Sequence, residues 1–342
     1  MRAMILKSVT SFDNNQTPLD LVDWPDPVPA AGEILIRVAV CGVCHTELDE
    51  IEGRSPPPRL PVIPGHQVVG HVEALGPGVT MYKVGDRVGV AWIFSACGVC
   101  RFCRRGQENL CPGFQATGRD AHGGYAERMV APAEYVYAIP KVFTDAEAAP
   151  LLCAGAIGYR SLCLAGLEKG DNVGLTGFGA SAHLVLQMLH HQFPEMKIFV
   201  FARKAEERAF ARSLGAYWVG TTIDVAPDPL QAIIDTTPAW TPILGALQNL
   251  DSGGRLVINA IRKEERDKSV LLSLNYPAHL WMEKEIRSVA NITRQDVSAF
   301  LDLAAAIPLH PEIQEYDLEK ANEALFDMKT KHIKGAKVLR VS

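Results

Sequence analysis

Up to about residue 140 the chain alternates short apolar runs with clusters of turn residues. Glu33 to Val40, Gln67 to Leu75 and Arg87 to Trp92 are set apart by Pro27-Val28-Pro29, Pro56-Pro57-Pro58 and Gly76-Pro77-Gly78. Apolar runs of strand length punctuated by Pro and Gly predict a compact β-rich domain. From about Asp145 the rhythm lengthens to helical stretches of ten or more residues that alternate with short strands. Asn172 to Thr176 and Lys197 to Ala202 read as strands with a helix from Ala180 to Gln192 between them, a βαβ unit that requires a parallel sheet with covering helices. Ala232 to Asp235 and Arg255 to Ala260 extend that sheet, each after a helical stretch. Two helices, around Asp296 to Ala306 and Asp317 to Lys329, and a strand at Ala336 to Val341 close the chain.

At 342 residues the chain favours two domains over one core. Its 48% hydrophobic and 21% charged content is that of a globular enzyme. A net charge of -5, with Lys and Arg spread along the chain, offers no basic field for nucleic acid. The start Met-Arg-Ala-Met-Ile-Leu-Lys-Ser-Val lacks a signal-peptide core, and no later run reads as the roughly 18 apolar residues of a membrane span. A cytoplasmic protein that does not bind membranes is expected. There thiols stay reduced, so the 8 cysteines are expected as ligands or core residues rather than disulfides.

Four of them, Cys97, Cys100, Cys103 and Cys111, fall within fifteen residues. Four thiolates on one tight loop can close a tetrahedron around zinc with no open position, a structural site. Two other readings are an iron–sulfur loop, whose last spacing is shorter than the one here, and four incidental core cysteines.

Thr176-Gly177-Phe178-Gly179-Ala180-Ser181-Ala182 follows a strand and opens a helix. It has the Gly-x-Gly-x-x-Ala form of a dinucleotide fingerprint: Gly177 and Gly179 admit the pyrophosphate to the helix N-terminus and Ala182 allows close packing. The bland alternative is a glycine-rich turn. Cofactor choice is set at the end of the next strand, where NAD-binding chains carry an acid for the ribose 2′-hydroxyl. Here the strand ends in Ala202-Arg203-Lys204. Arg203 and Lys204 favour the 2′-phosphate of NADP over NAD through charge-assisted hydrogen bonds. Both could instead be solvated cations, and Glu206 or Glu207 could reach a ribose.

Cys44, His66 and Cys153 are far apart and say little singly. Their contexts, Cys41-Gly42-Val43-Cys44-His45-Thr46, Pro64-Gly65-His66 and Pro150-Leu151-Leu152-Cys153-Ala154-Gly155, resemble the medium-chain zinc alcohol dehydrogenases, in order and separation, over nearly the whole chain. The similarity is strongest to the bacterial branch grouped with cinnamyl alcohol dehydrogenases. The resemblance implies a catalytic zinc on Cys44, His66 and Cys153, hence two zinc ions per chain, and a homo-oligomer, dimer or tetramer. It also implies an α/β fold: a GroES-like β-rich catalytic domain over 1–153 and 294–342, and a Rossmann doubly wound parallel-sheet domain over 154–293. Two thiolates and an imidazole leave one zinc position open for an alcohol or aldehyde oxygen.

By the same resemblance His45 reaches the pyrophosphate, Thr46 takes the alcohol proton, and Glu47 orients His66, as ligating histidines commonly lean on carboxylates. Each could also be an ordinary residue at a helix N-terminus. Asp49 stands where many relatives carry a relay histidine, and Gln67 where they carry Glu. Asp49 is expected to pass the proton outward or else to be a solvated surface acid. Trp92 falls at a pocket aromatic, or is plain core. The expected activity is hydride transfer between a primary or aromatic alcohol or aldehyde and NAD(P). A zinc-independent quinone or enoyl reductase of the same superfamily, and a non-catalytic zinc and nucleotide binder, are the alternatives.

Overall fold

Alternating apolar positions in the first part of the chain become the inner face of a twisted sheet. In the strand Glu33–Val43, Ile34, Ile36 and Val38 are fully buried at every second position, as a one-sided strand requires. The computed structural model describes residues 1–307, 309–331 and 335–342. It divides into two units, Met1–Cys153 with Thr293–Ser342, and Ala154–Ile292.

The first unit is built on a seven-stranded sheet in which Glu33–Val43 pairs antiparallel with Val68–Leu75, Arg128–Pro132 and Ala336–Arg340. Ile313–Asp317 adds a parallel edge against Ala336–Arg340. The core lies between this sheet and the helices His45–Ile51 and Ala321–Thr330, with Leu48, Ile51, Leu325 and Leu339 in one buried cluster. A lobe holding the four clustered cysteines hangs from the short ribbon Ile93–Ser95 and Gln115–Ala116.

The second unit is a six-stranded, all-parallel sheet. Its strands lie in the order Trp218–Gly220, Lys197–Phe201, Asn172–Thr176, Leu230–Asp235, Leu250–Ile258, Glu285–Ser288. That is third, second, first, fourth, fifth, sixth in chain order, the doubly wound Rossmann arrangement. Val173, Leu175, Ile198, Val200, Ile233 and Val257 are wholly buried, as strands covered on both faces must be.

Several elements depart from the pattern read in the sequence. No helix precedes Leu230–Asp235; the short strand Trp218–Gly220 does, and Pro227 and Pro229 in the connection cannot continue a helix. Glu285–Ser288 is exposed at all four residues, so it shows no hydrophobic alternation. The helical run Asp145–Ala165 is, by length and mean hydropathy, apolar enough for a membrane span, against the expectation that no run would be. Pro150 and Arg160 break up its apolar residues, and 61% of its most apolar window is buried in the protein, as in a core helix.

Candidate active site

The register of two strands brings the first ligands together. Cys41 pairs with Val68, and the Gly42 N–H donates to the Gln67 carbonyl at 2.8 Å, so the residues just beyond, Cys44 and His66, converge. Gly65 precedes His66 with φ +99, and a Cβ there would lie 2.4 Å from the Tyr125 ring, so only glycine fits. Cys44 begins the helix His45–Ile51. Cys153 arrives on a π turn, Leu151–Gly155, just after Pro150, whose missing N–H interrupts the α-helical ladder.

The three donors lie within 4.8 Å of one another: Cys44 Sγ is 3.9 Å from Cys153 Sγ, and His66 Nε2 is 3.2 Å from Cys153 Sγ. Tetrahedral zinc, with Zn–S of about 2.3 Å and Zn–N of about 2.0 Å, needs S···S of about 3.8 Å and N···S of about 3.5 Å. The trio therefore fits zinc with one position left over. Glu47 lies behind it, Oε1 at 2.5 Å from His66 Nδ1 and Oε2 accepting the Cys44 N–H at 2.8 Å. Cys153 donating to Cys44, with help from His66, holds the Cys44 thiol well below its usual range, while the same bond and burial hold Cys153 well above. Burial opposes a charged His66, yet Glu47 and Cys44 outweigh it and hold the imidazole above its usual value.

Thr46 Oγ1 is 3.6 Å from Cys44 Sγ, and His45 is exposed on the same helix. Asp49 is 4% exposed and ion-paired with Arg54 at 2.5 Å, so it is not a solvated surface acid. Trp92 is buried against Phe114, ring centroids 4.9 Å apart, with the Arg119 guanidinium 5.6 Å from its ring. Sequence reasoning passed over Glu50. It is buried, its Oε1 has no hydrogen-bond partner, and burial, then Glu47, pushes its carboxyl well up. Its place one turn after Glu47 was the available signal.

In the lobe, Cys97, Cys100, Cys103 and Cys111 also lie within 4.8 Å of one another, with Sγ separations of 3.6 Å for Cys100–Cys103 and 4.0 Å for Cys97–Cys103. Backbone N–H groups point at the sulfurs: Cys103 to Cys100 at 3.5 Å, Gly113 to Cys111 at 3.3 Å. Such donors stabilise thiolates, and those of Val99 and Cys100 bring Cys97 down to about 6. Four sulfurs at tetrahedral spacing fit a closed zinc site.

In the second unit, three strand ends meet around the glycine turn. The Gly177 N–H donates to the Phe201 carbonyl at 2.8 Å and the Thr236 N–H to the Thr176 carbonyl at 2.9 Å. Gly177 has φ +78, and a Cβ would lie 2.8 Å from Thr236 Oγ1 and Thr237 Cγ2. Gly179 has open space where a Cβ would stand, and Ala182 starts the helix Ala182–Gln192, fully buried. Open backbone at a helix N-terminus suits a pyrophosphate. Beneath it Asp235, fully buried at the end of its strand, is paired with Lys263 at 2.5 Å. Arg203 and Lys204 are exposed just past the end of Lys197–Phe201.

A family model described as the alcohol dehydrogenase GroES-like domain matches residues 30–141. The chain is 44% identical over 329 residues to a probable alcohol dehydrogenase of Mycobacterium tuberculosis, covering 95% of this chain and 93% of that protein. It is 33% identical over 341 residues to an alcohol dehydrogenase of Geobacillus stearothermophilus, covering 94% and 96%. Among solved structures it is similar to a cobalt- and zinc-bound thermostable alcohol dehydrogenase of Pyrobaculum aerophilum, at 25% identity and TM-score 0.84 over 100% and 99% of the two chains. A cinnamyl alcohol dehydrogenase of Sorghum bicolor matches at 25% identity and TM-score 0.83 over 98% and 97%.

Proposed function

The chain belongs to the medium-chain zinc-dependent alcohol dehydrogenase family, and from that premise we propose that Cys44, His66 and Cys153 hold a catalytic zinc, that the four lobe cysteines hold a structural one, and that NADP is the preferred cofactor. The observation that carries the reading is the convergence of two thiols and one imidazole from three distant segments, with Glu47 bridging two of them. A zinc-independent reductase would have no use for that trio.

When bound, the zinc supplies Lewis acidity that favours loss of the alcohol proton or polarises an aldehyde, and the nicotinamide supplies the hydride site. Thr46, beside Cys44, is the candidate for relaying the hydroxyl proton, giving up its own as it accepts. Asp49, one turn further along the same helix, is the candidate for passing it outward, with Arg54 fixing its carboxylate. Glu47 fixes the His66 ring so that Nε2 faces the two sulfurs. Trp92 is the candidate wall for the substrate, and His45 for the pyrophosphate. Gly177, Gly179 and Ala182 make the pyrophosphate seat, and Arg203 with Lys204 meets the 2′-phosphate.

A cytoplasmic setting, where thiols stay reduced, suits this many ligand cysteines. The edge strand Glu285–Ser288 is exposed and follows closely in sequence on exposed Trp281 and Met282, which supports association of identical chains edge to edge. The test is a turnover screen over aliphatic and aromatic alcohols and aldehydes with NADH and NADPH, run beside elemental analysis and sedimentation. Absence of turnover in zinc-replete protein would overturn the enzymatic reading.

A further inference from the structure

Arg208 lies on the helix Ala205–Ser213 but folds back over its start. Its Nη1 donates to the carbonyl of Ala202 at 2.7 Å and to that of Arg203 at 2.8 Å. These are the two residues that carry the chain out of the strand Lys197–Phe201, beside the carbonyl of Phe201 that anchors the Gly177 turn. One guanidinium therefore covers the last acceptors of the corner and fixes the backbone from which Arg203 projects. Within residues 203–208, three cations, Arg203, Lys204 and Arg208, stand against two carboxylates, Glu206 and Glu207. Asp224 also lies within electrostatic reach of Arg208, so removing Arg208 takes one cation from the corner and leaves the carbonyls of Ala202 and Arg203 without that donor.

We propose that Arg208 is a second selectivity residue for the cofactor: a positioning residue that holds the corner for Arg203 and adds a cation beside it, so that a ribose bearing a 2′-phosphate is preferred. The inference rests on the reading that Arg203 meets that phosphate. Charge acts on the 2′-phosphate, which carries nearly two negative charges, and scarcely on a neutral 2′-hydroxyl. Removing it must therefore separate the two cofactors rather than weaken both.

The experiment is fluorescence titration of NADPH and NADH, with 2′,5′-ADP and ADP as competing probes, on wild type, Arg208→Gln, Arg208→Lys and Arg203→Ala. Arg208→Gln is expected to weaken NADPH and 2′,5′-ADP by roughly five- to twentyfold, an effect that shrinks at high salt, and NADH and ADP by less than about twofold. Arg208→Lys, which keeps the charge, restores most of the loss. Unfolding midpoints check that the variants fold, and if Arg208→Gln does not, the same titration is read on Arg208→Met. Equal weakening of both cofactors in Arg208→Gln, or in Arg208→Met where that variant is read instead, assigns Arg208 a structural role only and overturns the inference, provided Arg203→Ala still loses NADPH selectively. If Arg203→Ala leaves NADPH binding intact, the underlying reading fails instead, and this inference with it.

Discussion

Glu47 Oε1 lies 2.5 Å from His66 Nδ1, and both side chains are shut off from solvent. The carboxylate fixes the ring orientation and makes the imidazole a stronger donor toward metal, and its other oxygen holds the backbone of Cys44. Glu47→Gln keeps the size and loses the charge. We expect metal affinity or kcat/KM to fall by about 10- to 100-fold, read from zinc loss to a chelator and from steady-state kinetics. Unchanged values of both would remove Glu47 from the site.

The two cysteine centres predict opposite phenotypes. Cys153→Ser is expected to lower turnover by at least about 100-fold with little change in unfolding midpoint, whereas Cys103→Ser chiefly lowers the midpoint. Elemental analysis is expected to give about two zinc ions in wild type and about one in each variant. Near-normal turnover in Cys153→Ser would sink the catalytic assignment.

For cofactor choice, the wild type is expected to use NADP more efficiently than NAD. Arg203→Ala should cost NADP about tenfold in kcat/KM and leave NAD almost unaffected. A strong wild-type preference for NAD is the contrary result.

Asp49→Asn tests the outward proton path. Because Asp49 is buried and held by Arg54, the variant is expected to lower kcat several-fold and to move the pH dependence of kcat/KM. A profile that overlays the wild type assigns Asp49 to holding Arg54 and nothing more.

Glu52 gives a prediction for stability. Burial works against its charge, but Lys329, Arg54 and the Phe12 N–H outweigh it and hold the carboxyl down at about 2. A depressed carboxylate contributes stability that is fully present above the ordinary value near 4.5 and is lost as pH falls toward 2. Glu52→Gln is therefore expected to cost on the order of 1–3 kcal/mol at pH 7. In urea unfolding at successive pH values the gap from wild type should close as pH drops below 4.5. A gap independent of pH would show that the ionic contacts contribute nothing.

Features legible in the sequence were local ones. The Asn172–Thr176 strand and the four-cysteine lobe were readable because their signals lie within a few consecutive residues. The catalytic trio is brought together by strand register and a π turn, neither of which leaves a spacing rule, so it was reached only through resemblance. Glu285–Ser288 had no hydrophobic face to betray it, and Trp218–Gly220 was too short for a period. Asp49 could be read as a solvated surface acid and Glu50 carried no signal of its own beyond its place after Glu47, yet Glu47, Asp49 and Glu50 are all buried because Arg54, His66 and the core enclose that helix. Arg208 was invisible for another reason: a long side chain that turns back on its own strand end has no counterpart in periodicity.

Counted in hydrogen bonds, a π turn is an α turn that has absorbed one residue, so the segment Leu151–Gly155 already behaves as an insertion. The direction of the Cys153 thiol is then a question of phase, since each residue gained or lost rotates the later side chains by about 100° around the helix axis. Deleting Leu152 would take out the extra residue of the π turn and is expected to carry the thiol away from Cys44 and His66, even though Pro150 still interrupts the ladder. Engineering that shortens this turn is therefore expected to displace the proposed ligand Cys153 without changing any of the three proposed ligand residues.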